Sequence, residues 1–378
     1  MCSFIFATMK KLSLAHQLSV AHFHIWVNVL LRNGFGWRQS LKIIWITLLT
    51  VIQIPFHLLN HIIFLLRRRN TIVCDDPVFI IGHWRSGTTF LQYLLSKDDQ
   101  FGYLTYYQAF VPTLAFIGGK GLKRILSRGM PKKRPQDDVH LQADLPTEEE
   151  NPLATMSSCS ASHNFFFPRN EHYYRHFVLF EGTDEPIKNK WKKAYQNLLE
   201  QMAVRFSGRR LLIKNPHNTG RIKELYELYP KATFIYLYRH PYEVYPSTYL
   251  MYDRVVKTQY LQPFTDEETR EKIMYCYRSI LKRYYDTREE IPSDQLIEIS
   301  YKEMLEDPMG CTQRIYKSFG QEISGETRAK MEAYLAEQKG YRINRHNLSE
   351  KETERLDQEL AFLFERHPDL LAQRFNQT

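Results

Sequence analysis

A glycine-containing segment in the first third of the chain has the residue types of an anion-binding loop. Gly82 and Gly87 stand at the spacing of the G-x-x-x-x-G-K-[ST] nucleotide loop, with His83-Trp84-Arg85-Ser86 between them. Where such a turn joins a strand to a helix, several backbone N–H groups and the positive end of the helix point at one place. The segment therefore predicts a loop that binds a phosphate-like group.

This loop differs in two respects from the loops of enzymes that hydrolyse nucleoside triphosphates. Thr88 occupies the position of the motif's lysine, while Arg85 brings a positive charge inside the loop. The segment Arg239-His240-Pro241 follows an apolar run and contains no acid that could help to hold Mg²⁺. Because kinases and NTPases need both the lysine and the magnesium ligands, the sequence favours nucleotide binding without triphosphate hydrolysis. A nucleotide-dependent phosphotransferase of the same fold is the alternative, and Mg²⁺-dependent turnover of ATP would identify it.

Apolar runs and periodic segments predict the elements that position this loop. Four short apolar runs predict strands buried on both faces, at residues 78–81, 211–213, 233–238 and 296–299. Periodic segments predict helices over residues 90–96, 187–206, 221–229, 267–290 and 302–319. Strands that alternate with helices indicate an α/β class, here a P-loop-type three-layer fold with a central parallel sheet and helical insertions.

The N-terminal segment differs from the rest of the chain in its composition. Residues 43–66 carry no formal charge, and a helix of this length could cross a bilayer core of about 30 Å. Polar residues inside it, such as Gln53, are costly at the bilayer centre, and Pro55 divides the helix into two halves. We therefore expect residues 1–70 to form an apolar helical hairpin and residues 71–378 to form the catalytic α/β domain. Contact of the hairpin with a membrane surface is favoured over burial in a soluble fold, and a membrane span is least favoured.

Composition and charge define the class of the protein and its partners. The chain has 378 residues, 43% of them hydrophobic and 25% charged, which excludes a disordered or low-complexity protein. Its net charge of +9 favours anionic partners, but no recognised nucleic-acid module appears, so nucleic acid is not expected among them. The five cysteines are scattered without a C-x-x-C pair and indicate reduced thiols in the cytoplasm. If the N-terminal segment touches a membrane, Arg67-Arg68-Arg69 would hold the chain peripherally on its inner face.

The loop and two further motifs resemble those of the sulfotransferases that use 3′-phosphoadenylyl sulfate (PAPS). Arg85-Ser86-Gly87-Thr88-Thr89 is similar to the family's [KR]-S-G-T-T loop, which holds the 5′-phosphosulfate. Arg239 and Ser247 match the arginine and the serine, eight positions apart, that together bind the 3′-phosphate. The segment from Tyr301 to Pro308 is similar to Y-E-D-(M/L)-x-x-D-P, whose tyrosine contacts the adenine.

The resemblance covers roughly residues 76–345 and is closest to the broad bacterial branch with G-H-W-R-S-G-T-T. It implies that PAPS is the co-substrate, that Phe90 lies where cytosolic members place an adenine-stacking tryptophan, and that Arg342 closes over the donor. Sulfuryl transfer moves a neutral SO₃-like group, so side-chain cations can stabilise the leaving phosphate and no metal is required. Arg85 and Lys214 are suited to this role, and the family carries a lysine at the latter position.

The general base that accepts the proton of the acceptor hydroxyl is left open between a histidine and a glutamate. Cytosolic members of the family use a histidine two residues after the lysine, but that position is Pro216 here and the nearest candidate is His217. Other branches use a glutamate, and Glu149 and Glu150, preceded by Glu148, resemble an acidic patch of the bacterial branch. A structural hydrogen bond at a helix start would equally explain the histidine, and a solvated loop the glutamates. We expect His217 to be the base, with Glu149 or Glu150 next.

Aromatic residues in the predicted insertions indicate which class of acceptor molecule the protein binds. They form two clusters, Tyr103, Tyr106, Tyr107 and Phe110, then Phe165, Phe166, Phe167, Tyr173 and Tyr174. Because aromatic cavities favour flat apolar ligands, the expected partner is a small molecule with a hydroxyl group, lipophilic or steroid-like rather than a carbohydrate. An ordinary core and stacking on sugars are the alternatives for these rings. A membrane-associated binding protein without activity is the third function class, and the sequence gives no oligomeric state.

Overall fold

The computed structural model describes residues 16–69, 74–112, 123–124, 127–128, 141–338 and 348–370. This part of the chain contains α-helices and a five-stranded sheet. The strands are β1 Val78–Ile81, β2 Phe101–Gly102, β3 Arg210–Lys214, β4 Thr233–Tyr238 and β5 Leu296–Ser300. The α-helices are α1 Phe23–Asn33, α2 Ser40–Ile52, α3 Ile54–Arg68, α4 Thr88–Leu95, α5 Tyr106–Phe110, α6 Glu150–Met156, α7 Glu171–Tyr174, α8 Glu185–Arg205, α9 Ile222–Leu228, α10 Pro241–Arg254, α11 Asp266–Thr287, α12 Tyr301–Glu306, α13 Pro308–Ser318, α14 Gly325–Gln338, α15 Glu350–Glu359 and α16 Ala361–Arg366.

The sheet has the strand order β2-β3-β1-β4-β5, and β1, β4 and β5 run parallel. Val78 of β1 lies opposite Thr233 of β4, and Tyr238 at the end of β4 lies opposite Ser300 at the end of β5. All four residues of β1 are buried, as expected of a strand that is covered on both faces. The α/β class, the central parallel sheet and the four predicted strands are confirmed.

One predicted helix is divided in the structure. Residues 302–319 form α12 and α13 with a break at Asp307-Pro308. Proline has no N–H with which to continue α12, and the Asp307 carboxylate accepts a hydrogen bond from the backbone N–H of Gly310 at 2.8 Å, which starts α13. The two-residue strand β2 was not predicted, because a strand of that length gives no pattern in the sequence.

Contacts divide the chain into two compact units. The first unit consists of the described residues of Met1–Cys74, Gly102–Ile213 and Asp253–Phe264. The second unit consists of Asp75–Phe101, Lys214–Tyr252 and the described residues of Thr265–Thr378. The predicted division into residues 1–70 and 71–378 follows the order of the chain, whereas the two units are defined by contacts. The predicted division therefore stays a prediction.

The apolar N-terminal segment forms α2 and α3, which meet at Gln53. Pro55 lies in the first turn of α3, where its missing N–H costs least, and the predicted division of the segment at this proline is therefore observed. The two helices are bent by 45°, so the pair does not fold back as the expected hairpin; a single intervening residue is too short for a reversal. Among the described residues, no single helix is long and apolar enough to cross a membrane, although this bent pair together has the length and composition.

Candidate functional site

The glycine-containing loop connects β1 to α4 in the second unit. Three of its residues have positive φ angles, Gly82 at 140°, Arg85 at 71° and Gly87 at 95°. Gly87 is the residue that precedes α4, so the loop turns directly into the helix N-terminus. The backbone N–H groups of the first helical turn have no partners within the helix, and they give this turn its affinity for anions.

Close contacts explain why both glycines are needed. A Cβ atom on Gly82 would lie 2.3 Å from the carbonyl oxygen of Leu237 in β4, and one on Gly87 would lie 2.4 Å from the ring of Tyr301. Both distances are far below van der Waals contact, and both positive φ angles disfavour any side chain. The loop therefore packs against β4 on one side and against the start of α12 on the other.

Hydrogen bonds hold the loop from within and from a neighbouring turn. The hydroxyl of Ser86 donates to the carbonyl oxygen of His83 at 2.7 Å, and the backbone N–H of Gly82 donates to Oγ1 of Thr219 at 2.7 Å. Ser86 and Thr88 are both buried. Thr219 lies in the 3₁₀ turn Pro216–Arg221 after β3, so this turn positions the start of the loop.

Four predicted site residues are connected by direct contacts in the second unit. Nε of Arg85 donates to the hydroxyl oxygen of Ser247 at 2.8 Å, and Nη1 of Arg239 donates to the carbonyl oxygen of Arg85 at 3.2 Å. The guanidinium carbon of Arg239 lies 4.2 Å from the ring centre of Tyr301, which is a cation–π contact. The structure thus brings together residues that are separated by more than two hundred positions in the sequence.

The strand register explains this meeting. Because Tyr238 pairs with Ser300 across β4 and β5, the next residue of each strand, Arg239 and Tyr301, leaves the same edge of the sheet. Ser247 lies on α10, which begins at Pro241 directly after β4 and carries the serine back to the loop. Ligands of parallel sheets bind beyond the carboxyl ends of the strands, and this cluster lies at that edge.

The end of β3 contributes a second group of side chains. The backbone N–H of Asn215 donates to the carbonyl oxygen of Ile80 at 3.4 Å, which places Lys214 and Asn215 beside the end of β1. Oδ1 of Asn215 lies 3.0 Å from the backbone nitrogen of His217 and 3.2 Å from its Nδ1. The indole of Trp84 meets the His217 ring edge-on, with ring centres 4.7 Å apart. Lys214 and His217 are both buried, and the histidine ring is held on two sides.

The remaining loop residues lie in or beside α4. Thr88, Thr89 and Phe90 form its first turn, and the ring of Phe90 lies 6.0 Å from that of Tyr334 on α14. His83 is buried against Tyr277, with ring centres 4.2 Å apart, and its burial lowers the pKa of its imidazole to about 3. His83 is therefore neutral at physiological pH and adds no charge to the loop.

The two predicted glutamates lie in the first unit, at the start of α6. Oε1 of Glu149 accepts a hydrogen bond from the hydroxyl of Tyr195 at 2.7 Å. Oε1 of Glu150 accepts bonds from the hydroxyl of Ser160 at 2.8 Å and from the backbone N–H of Ala161 at 2.9 Å. Both carboxylates are buried, so a solvated loop does not explain them. The hydrogen-bonded environment, which the sequence does not show, is what holds them inside the protein.

The aromatic clusters of the first unit divide between core and surface. Phe166, Phe167 and Tyr174 are fully buried, whereas Phe110 is exposed and packs on Tyr106 with ring centres 5.9 Å apart. The burial of Phe166, Phe167 and Tyr174 agrees with the alternative that these rings belong to an ordinary hydrophobic core.

Two predictions about the site lie beyond what the structure tests. Arg342 lies outside the described residues. In the part of the chain that the structure describes, no group of three or more His, Cys, Asp or Glu side chains could hold a metal ion. The expectation that no metal is required stays a prediction.

Three further residues of the second unit were not singled out from the sequence. Thr219 bonds to the loop, Trp84 packs on His217, and Glu243 accepts a hydrogen bond from Nε of Arg239 at 2.9 Å. Arg239 lies just before α10 and Glu243 lies in its first turn, so the spacing of four residues alone is a weak signal for this ion pair. No sequence signal connects Thr219 to the loop, because that contact depends on how the strands are ordered.

The geometry at this edge of the sheet favours an anionic ligand. The loop offers the backbone donors at the start of α4 and the guanidinium of Arg85. Ser247 and Arg239, which contact Arg85 directly, add a hydroxyl and a second guanidinium. Guanidinium groups bind phosphate-like oxygens strongly, because the hydrogen bonds are charge-assisted.

Comparison with known proteins gives one family. The profile described as "Sulfotransferase family" matches residues 77–325 of the chain. The chain is also 27% identical over 349 residues to the omega-hydroxy-beta-dihydromenaquinone-9 sulfotransferase Stf3 of Mycobacterium bovis and, at the same identity, to that of Mycobacterium tuberculosis. Each alignment covers 92% of this chain and 89% of the relative.

Two solved structures are similar in fold. Sulfotransferase STF9 from Mycobacterium avium gives a TM-score of 0.64 at 20% identity, with 92% of this chain and 96% of that chain covered. Sulfotransferase STF1 from Mycobacterium tuberculosis gives a TM-score of 0.64 at 17% identity, with 94% and 97% covered. At these identities the two structures establish a shared fold over nearly the whole chain.

Proposed function

The chain belongs to the sulfotransferase family, and from that premise we propose that it transfers the sulfuryl group of PAPS to the hydroxyl of a lipophilic or steroid-like alcohol. The single observation that carries the proposal is the connected set of Arg85, Ser247, Arg239 and Tyr301 at the carboxyl edge of the sheet. A donor with two anionic ends and an aromatic base matches this set in charge and in chemistry.

Each end of the donor has matching groups in the second unit. We assign the 5′-phosphosulfate to the loop, where Ser86, Gly87, Thr88 and Thr89 supply backbone N–H groups and hydroxyls, and the 3′-phosphate to Arg239 and Ser247. Tyr301 and Phe90 are the assigned contacts of the adenine, and Tyr301 already presents its ring to a cation. Arg342 remains part of the proposed donor site by resemblance alone.

The proposed reaction is an in-line displacement at sulfur. The acceptor oxygen forms a bond to sulfur, the bond from sulfur to the bridging oxygen breaks, and negative charge develops on the leaving phosphate. Arg85 and Lys214 would stabilise that charge, because Arg85 lies in the loop and Lys214 ends β3, beside the end of β1. The hydroxyl proton passes to the general base.

His217 is the proposed base, since the structure holds its ring in a defined orientation. With the proton on Nδ1, the ring donates to Oδ1 of Asn215, and Nε2 is then the basic nitrogen. Glu149 and Glu150 are the second candidates. Oε1 of Glu150 already accepts two hydrogen bonds, so this oxygen has less capacity left to accept the proton of the acceptor.

The proposed class of acceptor is supported by the names of two relatives and by the aromatic composition of the first unit. The Mycobacterium relatives are named for a hydroxylated dihydromenaquinone, which is a lipophilic alcohol, and the first unit is rich in aromatic side chains. A carbohydrate hydroxyl is the alternative. For localisation we propose the cytoplasm, where the free thiols of Cys74, Cys159 and Cys311 would stay reduced, with peripheral contact on the inner face of the membrane.

The test of the proposed donor is a calorimetric titration with 3′-phosphoadenosine 5′-phosphate, run beside ATP with Mg²⁺. We expect the bisphosphate to bind and its affinity to fall at least about 30-fold in Arg239→Ala, since a charge-assisted contact to phosphate is lost. Arg209→Ala is the matched control, because this exposed arginine precedes β3 and belongs to the first unit.

The outcomes separate the function classes. Binding of ATP alone would return the chain to the phosphotransferase alternative. Binding of the bisphosphate without sulfation of any alcohol, tested with labelled PAPS and a panel of sterols, lipoquinols and sugars, would identify a binding protein. Sulfation of the sugars alone would move the acceptor to the carbohydrate class.

A further inference from the structure

Exposed apolar side chains are concentrated in one part of the first unit. Among the described residues, the large hydrophobic side chains that are exposed lie between Leu31 and Leu66, with Phe110 and Leu305 as the exceptions. Leu41 is 77% exposed and Leu58 is 61% exposed. Scattered exposed leucines are normal on a protein surface, but a contiguous apolar patch marks an interaction site.

Most of the exposed residues share one face of each helix. On α2 and α3 ten of them recur at helical spacing, as Leu41, Ile44, Leu48, Val51 and Ile52, then Leu58, Leu59, Ile62, Leu65 and Leu66, and Ile54 and Phe56 in the first turn of α3 are exposed as well. We call these ten residues the N-terminal apolar face. The opposite sides of the helices are buried, through Ile43, Ile46 and Thr50 on α2 and through Phe64 on α3.

Polar contacts fix the two helices on the first unit. The indole N–H of Trp26 donates to Oγ1 of Thr47 at 2.9 Å, the ammonium of Lys42 donates to the carbonyl oxygen of Thr258 at 3.2 Å, and Nε2 of Gln53 donates to the carbonyl oxygen of Ser19 at 2.7 Å. These bonds hold α2 and the junction at Gln53, whereas α3 is held by the ion pair of Arg68 with Glu200 of α8 and by the packing of Phe64 against Val204. The N-terminal apolar face is a fixed surface that the unit itself does not cover.

The charge of this segment has one sign. The first acidic residue of the chain is Asp75, whereas the preceding residues include Lys10, Lys11, Arg32, Arg38, Lys42, Arg67, Arg68 and Arg69. These eight cations nearly equal the net charge of the whole chain, which is +9. Arg38, near the start of α2, and Arg69, just after α3, are exposed at the two ends of the N-terminal apolar face.

We propose that the N-terminal apolar face docks on the surface of an anionic lipid bilayer. An apolar face flanked by the exposed Arg38 and Arg69, on a segment that has no acids of its own, matches the boundary between acyl chains and anionic headgroups. Arg68 is paired with Glu200 of α8, so it is not counted among these flanking charges. The bend at Gln53 keeps each helix short and suits a pair that lies in the interface. A second copy of the chain would instead bring the basic residues of both copies together with no acids on this segment to pair them.

The inference rests on the peripheral membrane contact proposed above and deepens it by naming the surface and the lipid charge, but it does not depend on the proposed reaction. Its test is flotation of the full chain with vesicles, either of phosphatidylcholine alone or with about 30% phosphatidylglycerol. We expect the chain to float with the anionic vesicles, at least tenfold more than with the neutral ones, and to be released partly by about 0.5 M salt. The double variant Leu48→Glu/Leu58→Glu should float at least tenfold less.

Two controls keep the result interpretable. Leu305→Glu makes the same change at an exposed leucine of the second unit and should float like the unchanged chain. Retained binding of 3′-phosphoadenosine 5′-phosphate, or an unchanged circular dichroism spectrum, would show that the double variant is folded. Equal flotation of the double variant and the unchanged chain would overturn the proposal. So would no flotation at all, or a dimer by light scattering that the double variant abolishes while vesicles bind neither protein.

Discussion

The two units of this protein present their functional features in different ways. In the second unit, side chains from the loop, α10, the end of β4 and the start of α12 converge on one edge of the sheet, and each comes from a short contiguous motif. In the first unit, the features are a helix face and a set of buried polar groups, with no comparable motif. A site at strand ends is therefore visible in a sequence, whereas a surface made by one side of a helix needs burial to define it.

The largest expected effect tests whether the chemistry needs only the second unit. We predict that His217→Ala lowers kcat by about 10² to 10⁴ and leaves the Kd of 3′-phosphoadenosine 5′-phosphate nearly unchanged, because a general base acts on the acceptor. Steady-state kinetics with PAPS and calorimetry check this. Glu149→Gln and Glu150→Gln are the comparison variants in the first unit. If a glutamate variant that still binds the bisphosphate loses turnover while His217→Ala keeps it, the base belongs to the first unit.

A glycine substitution in each unit sharpens the comparison. Gly87→Ala should weaken binding of the bisphosphate by about 100-fold, because the new Cβ would lie 2.4 Å from the ring of Tyr301 at a φ of +95°. Gly182→Ala in the first unit has a similar φ of +60° but meets nothing within 4 Å, so it should cost only about 1 kcal/mol of stability and no affinity. Calorimetry and thermal unfolding separate the two effects. Equal affinities in the two variants would contradict the contact with Tyr301.

Lowering the pH should reduce the stability of the first unit more than that of the second. Burial lowers the pKa values of His16 and His22 to about 3 and those of His57 and His163 to about 4, all in the first unit. These folded-state pKa values lie below the unfolded value of about 6.5, so the unfolded chain takes up more protons and stability is lost as pH falls below about 6.5. In His16, Nδ1 accepts a hydrogen bond from the N–H of Leu18, which protonation would break.

Hydrogen exchange followed by mass spectrometry at pH 7.5 and 5.5 checks the acid effect, after correction for the intrinsic exchange rate. In the second unit, burial lowers the pKa of His83 to about 3 and also lowers the pKa of His367. With fewer such groups there, we expect protection to fall less than in the first unit. The opposite order would show that other titrating groups govern acid stability.

The smallest effect concerns the ion pair beside the proposed 3′-phosphate site. Glu243 accepts a hydrogen bond from Arg239 at 2.9 Å, and its negative charge would oppose a phosphate at the same guanidinium. Glu243→Gln should therefore tighten binding of the bisphosphate by about two- to fivefold, with a steeper salt dependence. Glu303→Gln, which breaks the exposed pair with Arg314, is the control and should leave binding unchanged. Weaker binding in Glu243→Gln would mean that the carboxylate positions Arg239 instead.

Most of the second unit's site could be predicted, because its parts are local. The runs that form β1 and β4 were predicted with the bounds that the structure has, and Arg239 and Ser247 have a fixed spacing after β4. Thr219 and Trp84 could not be assigned roles in this way, since their contacts with the loop and with His217 depend on strand order. The hairpin expected at Pro55 was wrong, because a proline in the first turn of a helix ends the preceding helix without reversing the chain.

The sequence by itself determined the strands, the anion-binding loop, the break at Pro55 and the absence of acids before Asp75, since each depends on residue type and on near neighbours along the chain. Only the tertiary structure decided that Arg239 contacts Tyr301, that Glu149 and Glu150 are buried, and which side of α2 and α3 stays exposed. The physical reason is distance along the chain. Strand register and burial are set by contacts between distant segments, and helices that are apolar on every side give no pattern from which the buried face could be predicted.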